Sequence, residues 1–211
     1  MKDQFSLPFV NHYATLPDAL YSVVQSSPLL NPQLLHVSQS AMALVGLDPS
    51  MASSDSFLQW FNGDAPIPNS ASAIATAYAG HQFGSYVPKL GDGRALLLGQ
   101  IHNTKNELWE IQLKGSGQTP YSRFGDGRAV LRSSIREYLC SEAMHALGIP
   151  TTRAVCLIGS DTPVRRESME SAAMVTRLAP SFIRFGHFEF AAFTLEKPKL
   201  VKDLADHVIA D

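Results

Sequence analysis

Apolar residues recur with two different periods along this chain of 211 residues, and the changes of period mark its elements. Up to about residue 80, Pro8, Pro17, Pro28, Pro32, Pro49, Pro66 and Pro68 cut the pattern into short pieces, and the pieces between them read as helices. Ser38 is placed to cap one, with Ala41, Met42 and Val45 as its apolar face and Gly46 to end it. Asp55 or Ser56 starts another through Phe57, Leu58, Trp60 and Phe61. From Tyr86 the punctuation changes: Val87 to Leu90, a tight Gly91-Asp92-Gly93 and Ala95 to Leu98 read as a β-hairpin turning at the glycines. Leu108 to Lys114 alternates, with Trp109, Ile111 and Leu113 on one face, and predicts a third strand with Lys114 near its end on the other face. Gly115 to Gly127 has no apolar period and reads as a loop. Leu131, Ile135, Tyr138, Leu139 and Met144 then fall at three- and four-residue steps, a helix closed by Gly148-Ile149-Pro150. Strands are expected over Ala154 to Ile158 and Ala173 to Leu178, and a helix over Leu200 to Ile209.

The pattern predicts an α+β fold: a helical extension over residues 1–80, then an antiparallel sheet with one helix in 81–211. Composition narrows the class. Hydrophobic residues make up 45% and charged residues 17% of the chain, so a globular core is expected rather than disorder. The net charge of −2, from 17 basic and 19 acidic residues, is scattered, so neither nucleic acid nor an anionic membrane is an expected partner, and any bound polyanion should be small and held locally. Cys140 and Cys156, two thiols in apolar segments, are expected to be buried and reduced. The N-terminus carries no secretory pattern and no apolar run nears the ~18 residues a span requires. A cytoplasmic location is the expectation.

The element order places a glycine turn, a strand ending in Lys114, a loop, a helix carrying Glu137 and further strands in the sequence of a protein-kinase small lobe. A lysine at a strand end is rigidly aimed and can neutralise phosphate, while a carboxylate on the next helix fixes its ammonium. Glycines in the preceding turn let backbone approach a nucleotide. Each signal also has an ordinary reading, as a hairpin turn or a solvated charge. No P-loop signature is present. Arg94, Arg123, Arg128, Arg132, Arg136, Arg177 and Arg184 gather around the glycine-rich segments, where guanidinium groups suit phosphate oxygens. Arg132 and Arg136 read as helix-surface charges. Arg177, inside an apolar strand, requires either an internal partner or a bound anion. His81 and His187 lack any acidic-histidine spacing and read as structural hydrogen-bonding residues.

These residues stand in blocks that resemble the selenoprotein O family. The blocks are Tyr78 to Gly84, Leu90 to Arg94, Gln112 to Arg123, Gly125 to Glu137, Gly148 to Ala154 and Arg184 to Glu189, so the resemblance covers nearly the whole chain. It implies a kinase-like fold repurposed as a protein adenylyltransferase, moving AMP from ATP to serine, threonine or tyrosine hydroxyls of proteins. ATP would be flipped relative to ordinary kinases, with magnesium, or manganese in its place. By the family's motif, Lys114 would contact the phosphates with Glu137 as its ion-pair partner, and Arg177 and Arg184 would grip the terminal phosphate. Gly91, Gly93, Arg94, Asp126 and Gly127 would complete the ATP site. Family members continue into a second lobe that carries the catalytic aspartate and the metal ligands, and the resemblance therefore places no catalytic residue within these 211. Catalysis by this chain alone is not expected, and a non-catalytic nucleotide-binding module is the alternative. Whether UTP competes with ATP, and whether another polypeptide supplies the missing half, stay open.

Overall fold

Four apolar runs long enough to span a sheet, over residues 95–102, 108–114, 153–165 and 169–179, lie beside one another in the structure. A computed structural model describes residues 9–65 and 72–210 of the protein. The elements are β1 (Tyr21–Val23), β2 (Gln33–Val37), α1 (Gln39–Leu44), α2 (Asp55–Phe61), β3 (Ile74–Thr76), β4 (Gly80–Gln82), β5 (Ser85–Val87), β6 (Ala95–His102), β7 (Leu108–Lys114), β8 (Ala129–Val130), α3 (Leu131–Ala146), β9 (Arg153–Arg165), β10 (Met169–Ala179), α4 (Phe185–Glu189), a π turn (Phe190–Thr194) and α5 (Pro198–Ala210). One antiparallel sheet has the order β1-β3-β6-β7-β10-β9-β2, with β8 added to β10, and β4 and β5 form a separate two-stranded ribbon.

The sheet is covered on both faces. Register sets Val175 opposite Lys114 and Thr176 opposite Leu113, so Leu113 and Val175 point to opposite sides. Leu113 and Ile111 join the main cluster with Met42, Phe57 and Phe61 from α1 and α2. Val175 joins a smaller cluster with Tyr138 of α3 and Ala154, Leu157 and Ala173 of the sheet.

Both early helices appear where expected. Ser38 caps α1 by accepting from Ala41 N at 3.3 Å, and Ser54, one residue before the expected start, caps α2 by accepting from Phe57 N at 3.2 Å. The same stretch also contributes β1, β2 and β3 to the sheet, which the helical reading missed. These strands are short and are paired by partners distant in sequence, β2 with β9 and β3 with β6, so no local alternation announces them. Pro8, Pro66 and Pro68 lie outside the described residues.

The hairpin expected across Gly91 to Gly93 does not form. β5 pairs instead with β4, turning at Phe83 and Gly84, and β6 pairs with β3 and β7. Bonds to the preceding segment explain the difference: Leu90 N and Gly91 N both donate to Tyr78 O at 2.9 Å, and Thr76 of β3 donates to Asp92. The strand ending in Lys114 has the expected bounds, but its polar positions Glu110 and Gln112 are buried, because β7 is central between β6 and β10. In α3 the buried face is Ser134, Tyr138 and Ser141, while Ile135 and Leu139 are exposed. The helix meets the sheet through Tyr138, Leu131 and the two serines, and Ile135 and Leu139 point away. Cys156 is buried, its thiol pushed up to about 12 by that burial, whereas Cys140 is exposed, contrary to expectation. Among the described residues no helix is long and apolar enough to cross a membrane.

Candidate functional site

Lys114 ends β7 with Ala95 of β6 and Val175 of β10 as its cross-strand neighbours, and Arg177 stands opposite Gln112 two positions along. Pairing of this kind puts Lys114 and Arg177 on the same face of adjacent strands. α3 crosses that face and lowers Glu137 between them. Lys114 Nζ donates to Oε2 of the carboxylate, and Arg177 Nη1 donates to Oε1 at 3.2 Å. Arg177 also donates to Gln112 Oε1, its side chain is only 12% exposed, and its Nε has no partner. The question posed by a charge in an apolar strand is thus answered by an internal partner, but a shared one. Two cations divide one carboxylate. Burial and the neighbouring Arg177 lower the Lys114 pKa, and Glu137 opposes both.

In front of this trio opens a cavity of about 400 Å³, and the structure brings Gly91, Gly93, Arg94, Lys114, Asp126, Gly127, Arg177 and Arg184 onto its lining. Glu137 stands behind Lys114, on the wall of an adjoining cavity that shares Arg94 and Lys114. Arg123, Arg128 and Arg166 join the first lining, so seven basic side chains face two carboxylates, Asp92 and Asp126. For a chain of net charge −2, that is a strong local concentration of positive charge.

The glycines are required by the protein itself. A Cβ on Gly91, at φ 61°, would meet the Tyr121 ring at 2.4 Å, and one on Gly127, at φ 69°, would stand 2.1 Å from the Gly117 carbonyl. The loop between β7 and β8 is folded back against the strand entering β6, and Thr119 Oγ1 donates to Asp92 O at 2.7 Å to hold it there. Asp126, on the same loop, accepts two bonds from Arg166, at 2.6 and 3.0 Å, which hold its carboxyl below the usual range. Arg128 braces the loop by donating to the Ser27, Gly115 and Pro28 carbonyls. Arg132 makes a surface pair with Glu170, and Arg136 is exposed.

Arg184 precedes α4, 3.9 Å from Asp92 Oδ1 and 4.9 Å above the centre of the Tyr78 ring. Burial followed by the Asp92 charge pushes the Tyr78 phenol up to about 12. Asp92 is 2% exposed and accepts from Thr76 N at 3.0 Å and Thr76 Oγ1 at 2.6 Å; burial raises its pKa against these bonds. His187 is fully buried and hydrogen-bonded, in keeping with a structural role, whereas His81 is exposed at 3.9 Å from Glu189. Sequence reasoning missed Asp92, Tyr78, Gln112 and Arg166 as site residues. Asp92 alone had a signal, a carboxylate between two glycines of a turn. Among the described residues no group of three or more histidine, cysteine, aspartate or glutamate side chains is arranged to hold a metal.

Comparison with known proteins adds the following. The family model described as protein adenylyltransferase SelO matches residues 3–211. A protein nucleotidyltransferase YdiU of Pseudomonas fluorescens (strain Pf-5) is 56% identical over 210 residues, which is 100% of this chain and 43% of that protein. One from Thiobacillus denitrificans is 55% identical over 205 residues, 97% of this chain and 42% of that protein. The chain therefore spans less than half the length of the curated relatives it matches.

Proposed function

We propose that this chain, which belongs to the protein adenylyltransferase SelO family, holds ATP in the cationic cavity as the nucleotide site of an AMP transfer to protein hydroxyls. The observation that carries the reading is the sharing of Glu137 by Lys114 and Arg177, which leaves one buried positive charge in excess at the cavity floor. A triphosphate supplies the anion that such a floor lacks. Lys114, aimed by Glu137, contacts the phosphates, while Arg177 and Arg184 grip the terminal one. Arg94 reaches in from the entry to β6, and Gly91, Gly93, Asp126 and Gly127 shape the wall. With the outer phosphates held there, the α-phosphate is the one presented to an acceptor. When a protein hydroxyl oxygen bonds to the α-phosphorus, the bond to the β-phosphate oxygen breaks. The departing pyrophosphate gathers negative charge where Lys114, Arg177 and Arg184 already stand. Magnesium would add neutralising charge along the phosphates, and manganese has the same capacity.

In this reading the chain from residue 81 onward is a kinase-like small lobe, and the stretch up to residue 80 is an extension whose described part joins the lobe's own sheet through β1, β2 and β3. Transfer of AMP, as opposed to nucleotide binding, is proposed for the whole family protein. A non-catalytic nucleotide-binding module is the second reading, favoured by a cavity whose two carboxylates are both taken by internal bonds, Asp92 by Thr76 and Asp126 by Arg166. Calorimetric titration of the purified chain with ATP, with and without magnesium, tests the shared ground beside a Lys114→Ala variant. Binding that the variant loses supports the site; a folded wild-type chain that binds no ATP overturns it. Mass analysis of an acceptor protein incubated with the full-length relative separates the two readings, since only the first yields AMP-protein.

A further inference from the structure

Arg184 is the most exposed of the three cations assigned to the outer phosphates, with a side chain 41% exposed, and no carboxylate lies in direct hydrogen-bonding contact with it. The Tyr78 ring supports its guanidinium at 4.9 Å, and something other than a tight ion pair must fix its direction over that ring. A chain of buried hydrogen bonds leads from its own backbone to the carboxylate that faces its side chain. Arg184 N–H donates to His187 Nδ1 at 2.9 Å, a shorter contact than the 3.3 Å from the same nitrogen to the Arg184 carbonyl, and the shorter bond places the imidazole proton on Nε2. Nε2 stands 3.1 Å from Thr76 Oγ1 and donates to it. Thr76 Oγ1, its lone pair occupied, turns its own hydrogen to Asp92 Oδ2 at 2.6 Å, and Thr76 N adds a second bond to the same oxygen at 3.0 Å. Both bonds fall on Oδ2, so Oδ1 is the oxygen left facing the Arg184 guanidinium at 3.9 Å. His187, Thr76 and Asp92 are 0%, 4% and 2% exposed, so water cannot substitute for any link.

We infer that His187 is a positioning residue for the nucleotide site: it sets the direction of the Thr76 hydroxyl bond to Asp92 and so keeps Asp92 Oδ1 facing Arg184. Protonation at Nε2 is the only tautomer that lets Nδ1 accept from Arg184 and Thr76 donate to Asp92. Without that imidazole, Thr76 is free to turn its hydrogen elsewhere, Asp92 keeps only the bond from Thr76 N, and Arg184 keeps only the backbone bond from His187 N to its carbonyl. The inference rests on the reading of the cavity as an ATP site, and Arg184 in that reading serves only the terminal phosphates. His187 should therefore govern the preference for ATP over AMP.

The test is calorimetric titration of the 211-residue chain with ATP and with AMP, for the wild type, His187→Phe, Arg184→Ala and the double variant. His187→Phe is expected to weaken ATP binding roughly tenfold, the scale of one hydrogen bond to a charged group, and to leave AMP binding unchanged. On the Arg184→Ala background it should add nothing, because both changes remove the same interaction. Should His187→Phe not fold, Thr76→Val breaks the chain of hydrogen bonds from the β3 side with the sequence of α4 unchanged, and the same pattern is required of it. Equal losses for ATP and AMP, or additive losses in the double variant, would reduce His187 to general support and overturn the inference. A wild type that binds no ATP overturns the inference together with the site. A wild type whose binding depends on Arg184, beside folded His187 and Thr76 variants that bind as it does, overturns the inference alone.

Discussion

Arg177 and Glu137 meet at 3.2 Å between the sheet and α3, and the other oxygen of the same carboxylate is taken by Lys114. The helix and the two central strands are thus joined by one acidic residue serving two cations. Glu137→Gln leaves both cations on a neutral amide. The variant is expected to lose on the order of 1–3 kcal/mol of unfolding free energy, because charged donors lose their acceptor.

The same substitution predicts a change in pH dependence. Burial and Arg177 already lower the Lys114 pKa, and Glu137 is the group that raises it. In Glu137→Gln the ammonium should give up its proton at lower pH than in the wild type. ATP affinity in the variant should then decline earlier as titrations proceed from neutral to alkaline pH. Superimposable pH profiles for the two proteins would show that Glu137 does not govern the Lys114 charge.

His187 gives the fold a dependence on acid. Its burial lowers the imidazole pKa to about 3, against about 6.5 in an unfolded chain. Between those values the unfolded chain binds a proton that the folded chain refuses, so stability falls as pH drops from about 6.5 toward 3. The slope from this residue is up to about 1.4 kcal/mol per pH unit. Denaturation midpoints measured for the wild type and His187→Phe should diverge in slope across the accessible part of this window. Parallel lines would mean that the imidazole takes up its proton inside the fold.

A second buried charge ties the early helix to the later elements. Arg153, whose side chain is 4% exposed, donates to Glu142 at 2.9 and 2.8 Å, and Ser38 Oγ of the α1 cap donates to the same carboxylate at 2.6 Å. Glu142→Ala strands the guanidinium with Ser40 Oγ at 2.7 Å as its remaining partner. The expected cost is about 3–5 kcal/mol, read by chemical denaturation, with binding of ATP intact at temperatures where the variant stays folded. A cost near zero would show that water reaches Arg153.

What the sequence determined by itself is what lies close together along the chain. The strand ending in Lys114, the cap of α1, the loop over residues 115–127 and the existence of α2 and α3 follow from period, capping and glycine content, all of which act over a few residues. The site residues were legible as types in motifs, cations and glycines where phosphate chemistry would want them. Only the tertiary structure decided the rest, because each remaining feature depends on a partner far away in sequence. β2 and β3 are strands because β9 and β6 accept them. Gly91 to Gly93 are no hairpin because Thr76 holds Asp92, 16 residues away. α3 buries Tyr138 with two serines and leaves Ile135 and Leu139 exposed because the sheet it lands on decides which face is covered. Arg177 changed from an apparent orphan to half of a shared pair when α3 brought Glu137, 40 residues distant, onto it. Local preferences decide elements; electrostatic compensation in a buried site is decided only by what packing brings within a few ångströms.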